Sequence, residues 1–211
     1  MLPSNSFLLI LFLLFSCETP SYEQKNPPRL VGGPCEGCEG VFEFGEKQLY
    51  PVDTLPDFNE AGQKIKVSGT IFKPDGKTPA PVVTLYVYHT NQQGVYPAGK
   101  TTTGWGKRHG DIRAWIQTDK QGRYTFYTLK PGIYPNRNSA AHIHPTILEP
   151  DGKYYWIESY LFEGDSLISE AERNTASPRG GHNGIISLKN RDGVWHGERN
   201  IILGRNIPDY E

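Results

Sequence analysis

Two histidines separated by one residue, His142 and His144, follow closely after Tyr134 in the chain. On a β-strand, side chains alternate between the two faces, so both imidazoles project from one face and Ile143 points the other way. Phenol and imidazole groups gathered in so short a stretch are ligand types that bind transition metals. The spacing indicates half of a metal site, although two half-exposed histidines on an ordinary strand are the alternative.

The segments that must position these residues have the composition of an all-β protein. Twelve Tyr and nine Phe accompany Val, Ile and Thr, which favour strands, while 23 Gly and 17 Pro supply turns. The predicted strands are 65–72, 82–89, 112–118, 123–129, 141–148, 154–162, 185–188 and 194–203. A short helix is predicted only near 165–173. Strands at this spacing, separated by turns, predict a β-sandwich.

Length and charge narrow the classes of function. The chain has 211 residues, a net charge of −1 and 21% charged residues, so we expect no nucleic-acid or polyanionic partner. The length suits one domain with a substantial core and extra segments. We predict a signal segment at 1–17, a tether and N-terminal arm at 18–63, and a β-sandwich at 64–211.

The first residues indicate export. Residues 7–15 form an unbroken apolar run that is too short for a permanent membrane-spanning helix but suits a signal peptide. The run ends in Leu14-Phe15-Ser16-Cys17, which is similar to the lipobox of bacterial lipoproteins. An ordinary secretory signal is the alternative. We therefore predict a protein of the bacterial cell envelope that contacts the membrane only through a lipid on Cys17.

Cys35 and Cys38 are the other cysteines of the chain. In an exported protein, a local disulfide is the first expectation. A thioredoxin-like redox pair would need basic neighbours to lower the thiol pKa, whereas Glu36 and Glu39 act in the opposite direction. A zinc site needs four ligands, and the chain has no second cysteine pair. Copper or redox chemistry has no supporting feature, so we predict a structural disulfide.

Five short phrases, taken in order, resemble the intradiol ring-cleavage dioxygenases, which are non-haem ferric enzymes that open catechols between their hydroxyl-bearing carbons. The order of the phrases matches that family, and they cover roughly residues 65–166. The phrases are YHTNQQGVY (88–96), TDKQGRY (118–124), TLKPGIYP (128–135), AHIH (141–144) and LFEGD (161–165). The resemblance implies the β-sandwich of that family.

The resemblance also implies a set of ligands for Fe(III). Carried over phrase by phrase, these would be Tyr96, Tyr134, His142 and His144. Phenolates are hard anionic donors, so two of them favour Fe(III) over Fe(II) and over softer metals. A free tyrosine has a pKa of about 10, and only the charge of the cation makes two phenolates reasonable at neutral pH. The family needs no organic cofactor.

The reaction implied by the resemblance is intradiol cleavage of a small aromatic diol by O2, which gives a muconate-type dicarboxylate. Iron would act as a Lewis acid and a template for the catechol. Tyr134 would leave the metal when the substrate binds and would take a proton, which makes it the candidate catalytic residue.

The match departs from the family next to the ligands. Well-studied members carry Arg-Pro immediately before Ala-His-Ile-His, and that arginine stabilises charge on the substrate, whereas this chain has Ser139 and Ala140. Ser159 stands where those members often have Gln. These changes leave the ligands intact and bear on rate and substrate preference. The residues that we expect to support the ligands are Arg137, the nearest basic residue, and Arg108, His109 and Arg113 from a stretch that resembles exported relatives.

Two other functions stay open. Sandwiches that begin like residues 67–71 also occur as non-catalytic envelope binding modules, but such a module has no need of four metal ligands. An iron-binding relative with weak turnover is the second alternative, which the missing Arg-Pro pair supports. We interpret His89, His182 and His196 as structural or surface residues.

Overall fold

The computed structural model describes residues 27–211, which fold into two β-sheets packed face to face. The predicted all-β sandwich is therefore confirmed. The predicted signal segment 1–17 and the lipidation candidate Cys17 lie outside the described residues. Within residues 27–211, no helix has the length and apolar character needed to cross a membrane.

The strands of the described chain are β1 (Arg29–Leu30), β2 (Val52–Thr54), β3 (Lys64–Phe72), β4 (Thr84–Tyr88), β5 (Arg113–Gln117), β6 (Arg123–Leu129), β7 (His142–Leu148), β8 (Lys153–Trp156), β9 (Tyr160–Phe162), β10 (Ile185–Ile186), β11 (Lys189–Arg191), β12 (Val194–Glu198) and β13 (Ile201–Ile202). The helices are α1 (Gly106–His109) and α2 (Glu170–Arg173), with 3-10 turns at Cys38–Phe42, Pro56–Asn59 and Arg179–Gly181. Helix α2 lies in the predicted helical region, and it begins after Ser169 because that side chain and Glu172 form a capping box.

Apolar side chains that alternate along the strands hold the two sheets together. The first sheet has the order β1-β8-β7-β4-β5, with β9 beside β7 and β10 beside β9. The second sheet has the order β11-β12-β3-β6-β2, with β13 beside β3. Ile65, Val67 and Ile71 of β3 meet Ile143 and Ile147 of β7 in the core, and all five are fully buried. Each such side chain contributes roughly 1.5–3 kcal/mol by its burial.

The predicted strand 154–162 is in fact two strands, because the chain makes a β-bulge against β7. Thr146 pairs with Trp156, and Ile143 pairs with Tyr160. The interval of three residues from 143 to 146 on β7 therefore faces an interval of four residues, from 156 to 160, on the opposite segment. The extra residue lies between β8 and β9, where it interrupts the ladder.

The predicted strand 194–203 is also interrupted. The strands β12 and β13 both run parallel to β3, and Asn200 between them accepts a hydrogen bond from the Thr70 N–H at 2.9 Å, in place of a ladder bond. The hairpin partner of β12 is β11, whereas the predicted partner 185–188 contributes β10, which pairs with β9.

Part of the predicted tether and arm belongs to the sandwich. The strand β1 pairs with β8, and β2 pairs with β6. The turn after the disulfide packs on the outer face of the first sheet, where Val41 is buried among Tyr86, Trp115 and Leu148. Strands of two or three residues carry too little alternation to be recognised, so the sequence did not place this segment in the domain.

A network of buried hydrogen bonds is centred on His89. This residue is fully buried, as expected for a structural residue. Its Nδ1 donates to the Thr90 carbonyl at 2.8 Å, and its Nε2 lies 2.7 Å from Thr128 Oγ1. Thr128 Oγ1 also donates to Asp57 Oδ1 at 2.8 Å. Burial lowers the pKa of His89 to about 4 and raises the pKa of Asp57.

His89→Asn should flatten the pH dependence of stability. The unfolded chain protonates His89 below about pH 6.5, whereas the folded protein resists protonation until about pH 4, so the free energy of unfolding decreases as the pH falls through this window. Between pH 7 and pH 5, the wild type should lose about 2 kcal/mol more than the variant in urea unfolding. His196→Asn, on strand β12, should flatten the slope much less than His89→Asn, because His196 is only slightly buried and the pKa of His196 is lowered less strongly. An unchanged slope in His89→Asn would contradict this role.

Candidate metal centre

Four side chains converge on the outer face of the first sheet, and we call Tyr96, Tyr134, His142 and His144 the donor cluster. The two phenol oxygens lie 2.5 Å apart, and His144 Nε2 lies 3.0 Å from the Tyr96 oxygen and 3.3 Å from the Tyr134 oxygen. The Nε2 atoms of the two histidines lie 3.1 Å apart. First-row metals bind N and O ligands at about 2.0–2.2 Å, so ligands that share one ion lie about 3 Å from each other. The observed separations have this scale.

Phenol oxygens are essential to this arrangement. Among the described residues, no group of three or more His, Cys, Asp and Glu side chains could hold a metal. The donor cluster contains two histidines, and it reaches four donors only because two tyrosines complete it. The donor set therefore suits a hard, highly charged cation better than zinc or copper(I).

The strands β7 and β4 fix the two histidines. Ile143 is fully buried between the sheets, so His142 and His144 project from the opposite face. Pairing of β4 with β7 sets Tyr88 directly opposite His144, and the two rings stack with their centroids 4.7 Å apart. His142 Nδ1 donates to the Ala140 carbonyl at 2.6 Å, which leaves the Nε2 lone pair facing the cluster.

Two loops bring the tyrosines to the histidines, and glycines let these loops touch. Gly94 has a φ of +74°, and a Cβ at this position would lie 1.7 Å from the Ile133 carbonyl oxygen. A Cβ on Gly132 would lie 2.4 Å from a backbone oxygen of the opposite loop. The backbone that carries Tyr96 therefore lies directly against the backbone that carries Tyr134, and only glycine fits at the contact.

Burial disfavours the charged forms of two of the donors, Tyr96 and His144. Burial raises the pKa of Tyr96, and the hydrogen bond with Tyr134 raises it further. Burial also lowers the pKa of His144, and the neighbouring His142 adds to this effect. A bound cation would reverse the balance, because it stabilises phenolates and the lone pairs of neutral imidazoles.

Nothing in the sequence indicated that Tyr88 supports the donor cluster, which it does by packing against His144. Its ring stacks on His144 and also on His109, whose centroid is 3.8 Å away at an interplanar angle of 8°. His109 is buried, and its Nδ1 lies 2.9 Å from the Tyr86 hydroxyl. Tyr88 begins the first of the matching phrases, but only the register of β4 against β7 reveals its position.

The three arginines predicted to support the ligands occupy different places. Arg108 lines the cavity beside the donor cluster. The guanidinium carbon of Arg137 lies 5.5 Å from the centroid of the Tyr134 ring. Arg113 lies farther back, where it pairs with Glu43 and covers a tryptophan ring. Only Arg108 and Arg137 are therefore close to the cluster.

A cavity of about 190 Å³ lies beside the cluster and includes Tyr96, Tyr134 and His144 in its lining. A second cavity of about 320 Å³ adjoins it at His144, and Ser159 of the β-bulge lines this second space. Ser139, which stands where family members carry Arg, has a buried Oγ with no hydrogen-bond partner among the described residues. Position 139 therefore has no charged side chain, and position 159 has no side-chain amide.

The fold and the donor cluster define a β-sandwich protein with two phenol and two imidazole groups gathered on one sheet. A family model described as "Dioxygenase" matches residues 43–179, more than half of the chain. The chain belongs to this family, the intradiol ring-cleavage dioxygenases. The family consists of oxidoreductases that act on catechol-type rings and use non-haem iron.

Individual relatives are distant. The chain is 26% identical over 197 residues to the protocatechuate 3,4-dioxygenase beta chain of Burkholderia cepacia, covering 80% of this chain and 79% of that protein. It is 27% identical over 157 residues to catechol 1,2-dioxygenase 1 of Acinetobacter lwoffii, covering 67% of this chain and 48% of that protein, about half of the latter's length. The dioxygenase domain of a carbohydrate-binding fusion from Streptomyces sp. SirexAA-E has the same fold, with a TM-score of 0.54, 18% identity, and coverage of 89% of this chain and 95% of that one.

Gly94→Ala should separate the two tyrosine loops and destabilise the protein. The new methyl group would collide with the Ile133 carbonyl, and the residue would also keep a positive φ. Gly33→Ala is the matched control, because Gly33 has a φ of +84° but nothing within 4 Å of an added Cβ. In denaturant unfolding of metal-free protein, Gly94→Ala should lose about 1–3 kcal/mol more than Gly33→Ala. Equal losses would show that the loop contact is not a constraint.

Proposed function

We propose that this protein binds Fe(III) through Tyr96, Tyr134, His142 and His144 and uses it, with O2, to open a catechol-type ring between its hydroxyl-bearing carbons. The product would be a muconate-type dicarboxylate. The observation that carries the proposal is the convergence of four donor atoms, with contacts of 2.5–3.3 Å, from two loops and one strand. Membership of the dioxygenase family supports the same reaction.

The donor set fits ferric iron. Two phenol oxygens can supply two negative charges, and a trivalent cation is the partner that offsets the effect of burial on the pKa of Tyr96. His142 is already oriented as a ligand, since its Nδ1 proton is engaged by the Ala140 carbonyl. When bound, ferric iron supplies Lewis acidity and a template for both oxygens of the diol.

The chain's own residues would bind and orient the substrate. Tyr88 and Trp105 give the cavity beside the donor cluster aromatic walls, which suit a flat ring. Tyr134, the proposed catalytic residue, would be a phenolate when the cation is bound, and its oxygen would accept a proton from a substrate hydroxyl and become a neutral phenol. Tyr134 lines the same cavity, so a ring bound there would have a hydroxyl beside it.

A second candidate function is iron binding with weak turnover. It is favoured by Ser139, whose hydroxyl cannot stabilise negative charge on the substrate as the arginine of family members does. Arg137 offers partial compensation, because it lies over the Tyr134 ring and its charge lowers the pKa of Tyr96 against the effect of burial. The rate of oxygen uptake decides between the two functions.

We also propose that the protein is exported and anchored to the bacterial envelope by a lipid on Cys17. The apolar run at 7–15 and the lipobox-like sequence that follows it support this location. The Cys35–Cys38 disulfide is consistent with it, because disulfides persist in oxidising compartments. Ferric iron and O2 are both available outside the cytoplasm, so the proposed chemistry suits the proposed location.

Iron loading should colour the protein. Phenolate-to-iron charge transfer absorbs visible light, so Tyr134→Phe should remove roughly half of the absorption, and His144→Ala should weaken iron binding at least about tenfold. Tyr127→Phe and His182→Ala are matched controls outside the cluster and should leave both quantities unchanged. Visible spectra during ferric titration measure the effect. A wild-type protein that takes up no iron and stays colourless would overturn the proposal.

Turnover should consume one O2 for each catechol and give a ring-opened dicarboxylate. Oxygen-electrode rates and product analysis by mass spectrometry measure it. Tyr134→Phe should lower kcat by about 10²–10⁴ because it removes the proton acceptor, while Tyr127→Phe should keep the wild-type rate. Iron binding without ring opening would favour the second candidate function.

A further inference from the structure

The disulfide loop, residues 35–38, contributes Glu36 to the outer wall of the cavity beside the donor cluster. Glu36 and Arg108 both line this cavity, together with Tyr96, Tyr134 and His144. Glu36 also lines the adjoining cavity of about 320 Å³. A ring bound at the donor cluster would therefore present its far edge to Glu36 and Arg108.

We propose that Glu36 determines which ring substituents the site accepts, so that it takes catechols with uncharged substituents and discriminates against carboxylated ones. This inference rests on the proposed function. Two relatives of this chain are a protocatechuate dioxygenase and a catechol dioxygenase, so the family contains enzymes for both kinds of ring. Protocatechuate is a catechol that carries a carboxylate.

The charges at the wall favour the uncharged ring. An arginine is the side chain best suited to bind a carboxylate, because its guanidinium forms two parallel hydrogen bonds. Arg108 Nη2 lies 2.5 Å from Glu36 Oε1, so Glu36 already occupies the group that a carboxylated substrate would need. Such a substrate would have to displace Glu36 and would then face its negative charge. An uncharged ring meets neither obstacle.

Both side chains are largely exposed, so the ion pair itself is weak and the location of Glu36 carries the selection. That location is fixed. Cys38 is buried and joined to Cys35, and Gly37 has a φ of +88° with its Cα so close to His109 that a Cβ would lie 2.3 Å from Nε2. His109 in turn stacks on Tyr88. The backbone of Glu36 thus sits between a disulfide and the aromatic support of the donor cluster.

The test compares the binding of two probes to iron-loaded protein: catechol and protocatechuate, which is 3,4-dihydroxybenzoate. Each probe is titrated while visible absorption is followed, and calorimetry gives the same dissociation constants independently of turnover. The wild type should prefer catechol by at least about tenfold, and Glu36→Gln should reduce this preference by about tenfold, or about 1.4 kcal/mol. Glu39→Gln removes the same charge nearby, outside the cavity lining, and should retain the wild-type ratio.

Arg108→Gln gives the opposite prediction and separates two interpretations. Without Arg108, the charge of Glu36 is unpaired, so the preference for catechol should increase. An unchanged or smaller preference for catechol in Arg108→Gln would instead show that the charge of Glu36 does not carry the selection, and it would overturn the inference. A wild-type preference for 3,4-dihydroxybenzoate, or a ratio that Glu36→Gln leaves unchanged, would overturn it as well while leaving the proposed function intact. If neither probe altered the spectrum of iron-loaded protein, both the proposed function and this inference would be wrong.

Discussion

The site depends on the alternation of side chains along β7. Ile143 and Ile147 are fully buried between the sheets, and this burial forces His142 and His144 onto the outer face. A shift of one residue in the pairing of β7 would place two imidazoles in the apolar core and two isoleucines in solvent. The hydrophobic core therefore fixes the register of the proposed metal ligands on β7. Stability and site geometry come from the same strand.

Four polar donors linked by contacts of 2.5–3.3 Å, with burial raising one phenol pKa and lowering one imidazole pKa, are an unfavourable arrangement for a protein without a cation. The surroundings are built to maintain it. Glycine contacts lock the two tyrosine loops together, and the ring of Tyr88 is held between His109 and His144. Support of this kind would hold the proposed ligands in place before a metal binds, which would reduce the conformational entropy lost on binding.

The sequence predicted what local patterns encode. Strands β3 and β6 alternate over seven or more residues and match their predicted bounds, and the order of the phrases identified the family. The sequence did not predict the features that arise from pairing between distant segments. The bulge between β8 and β9 is visible only in the register against β7, and Tyr88 is recognisable as a neighbour of His144 only once β4 lies beside β7. Short strands such as β1 and β2 gain their structure from the sheets that they join.

The donor cluster and the wall that faces it come from different parts of the chain. The ligands lie on β7 and on two loops whose glycine contacts tolerate little change. The wall lies in residues 35–38, which precede the matched family region at 43–179 and are held by their own disulfide. Charge at Glu36 or Arg108 can therefore change without moving a ligand, because both side chains are exposed and neither packs in the core. Under the proposed function, substrate selection and metal binding would be separate constraints on the sequence, although the disulfide loop touches the support of the donor cluster where Gly37 meets His109 and Cys38 meets Thr146 of β7.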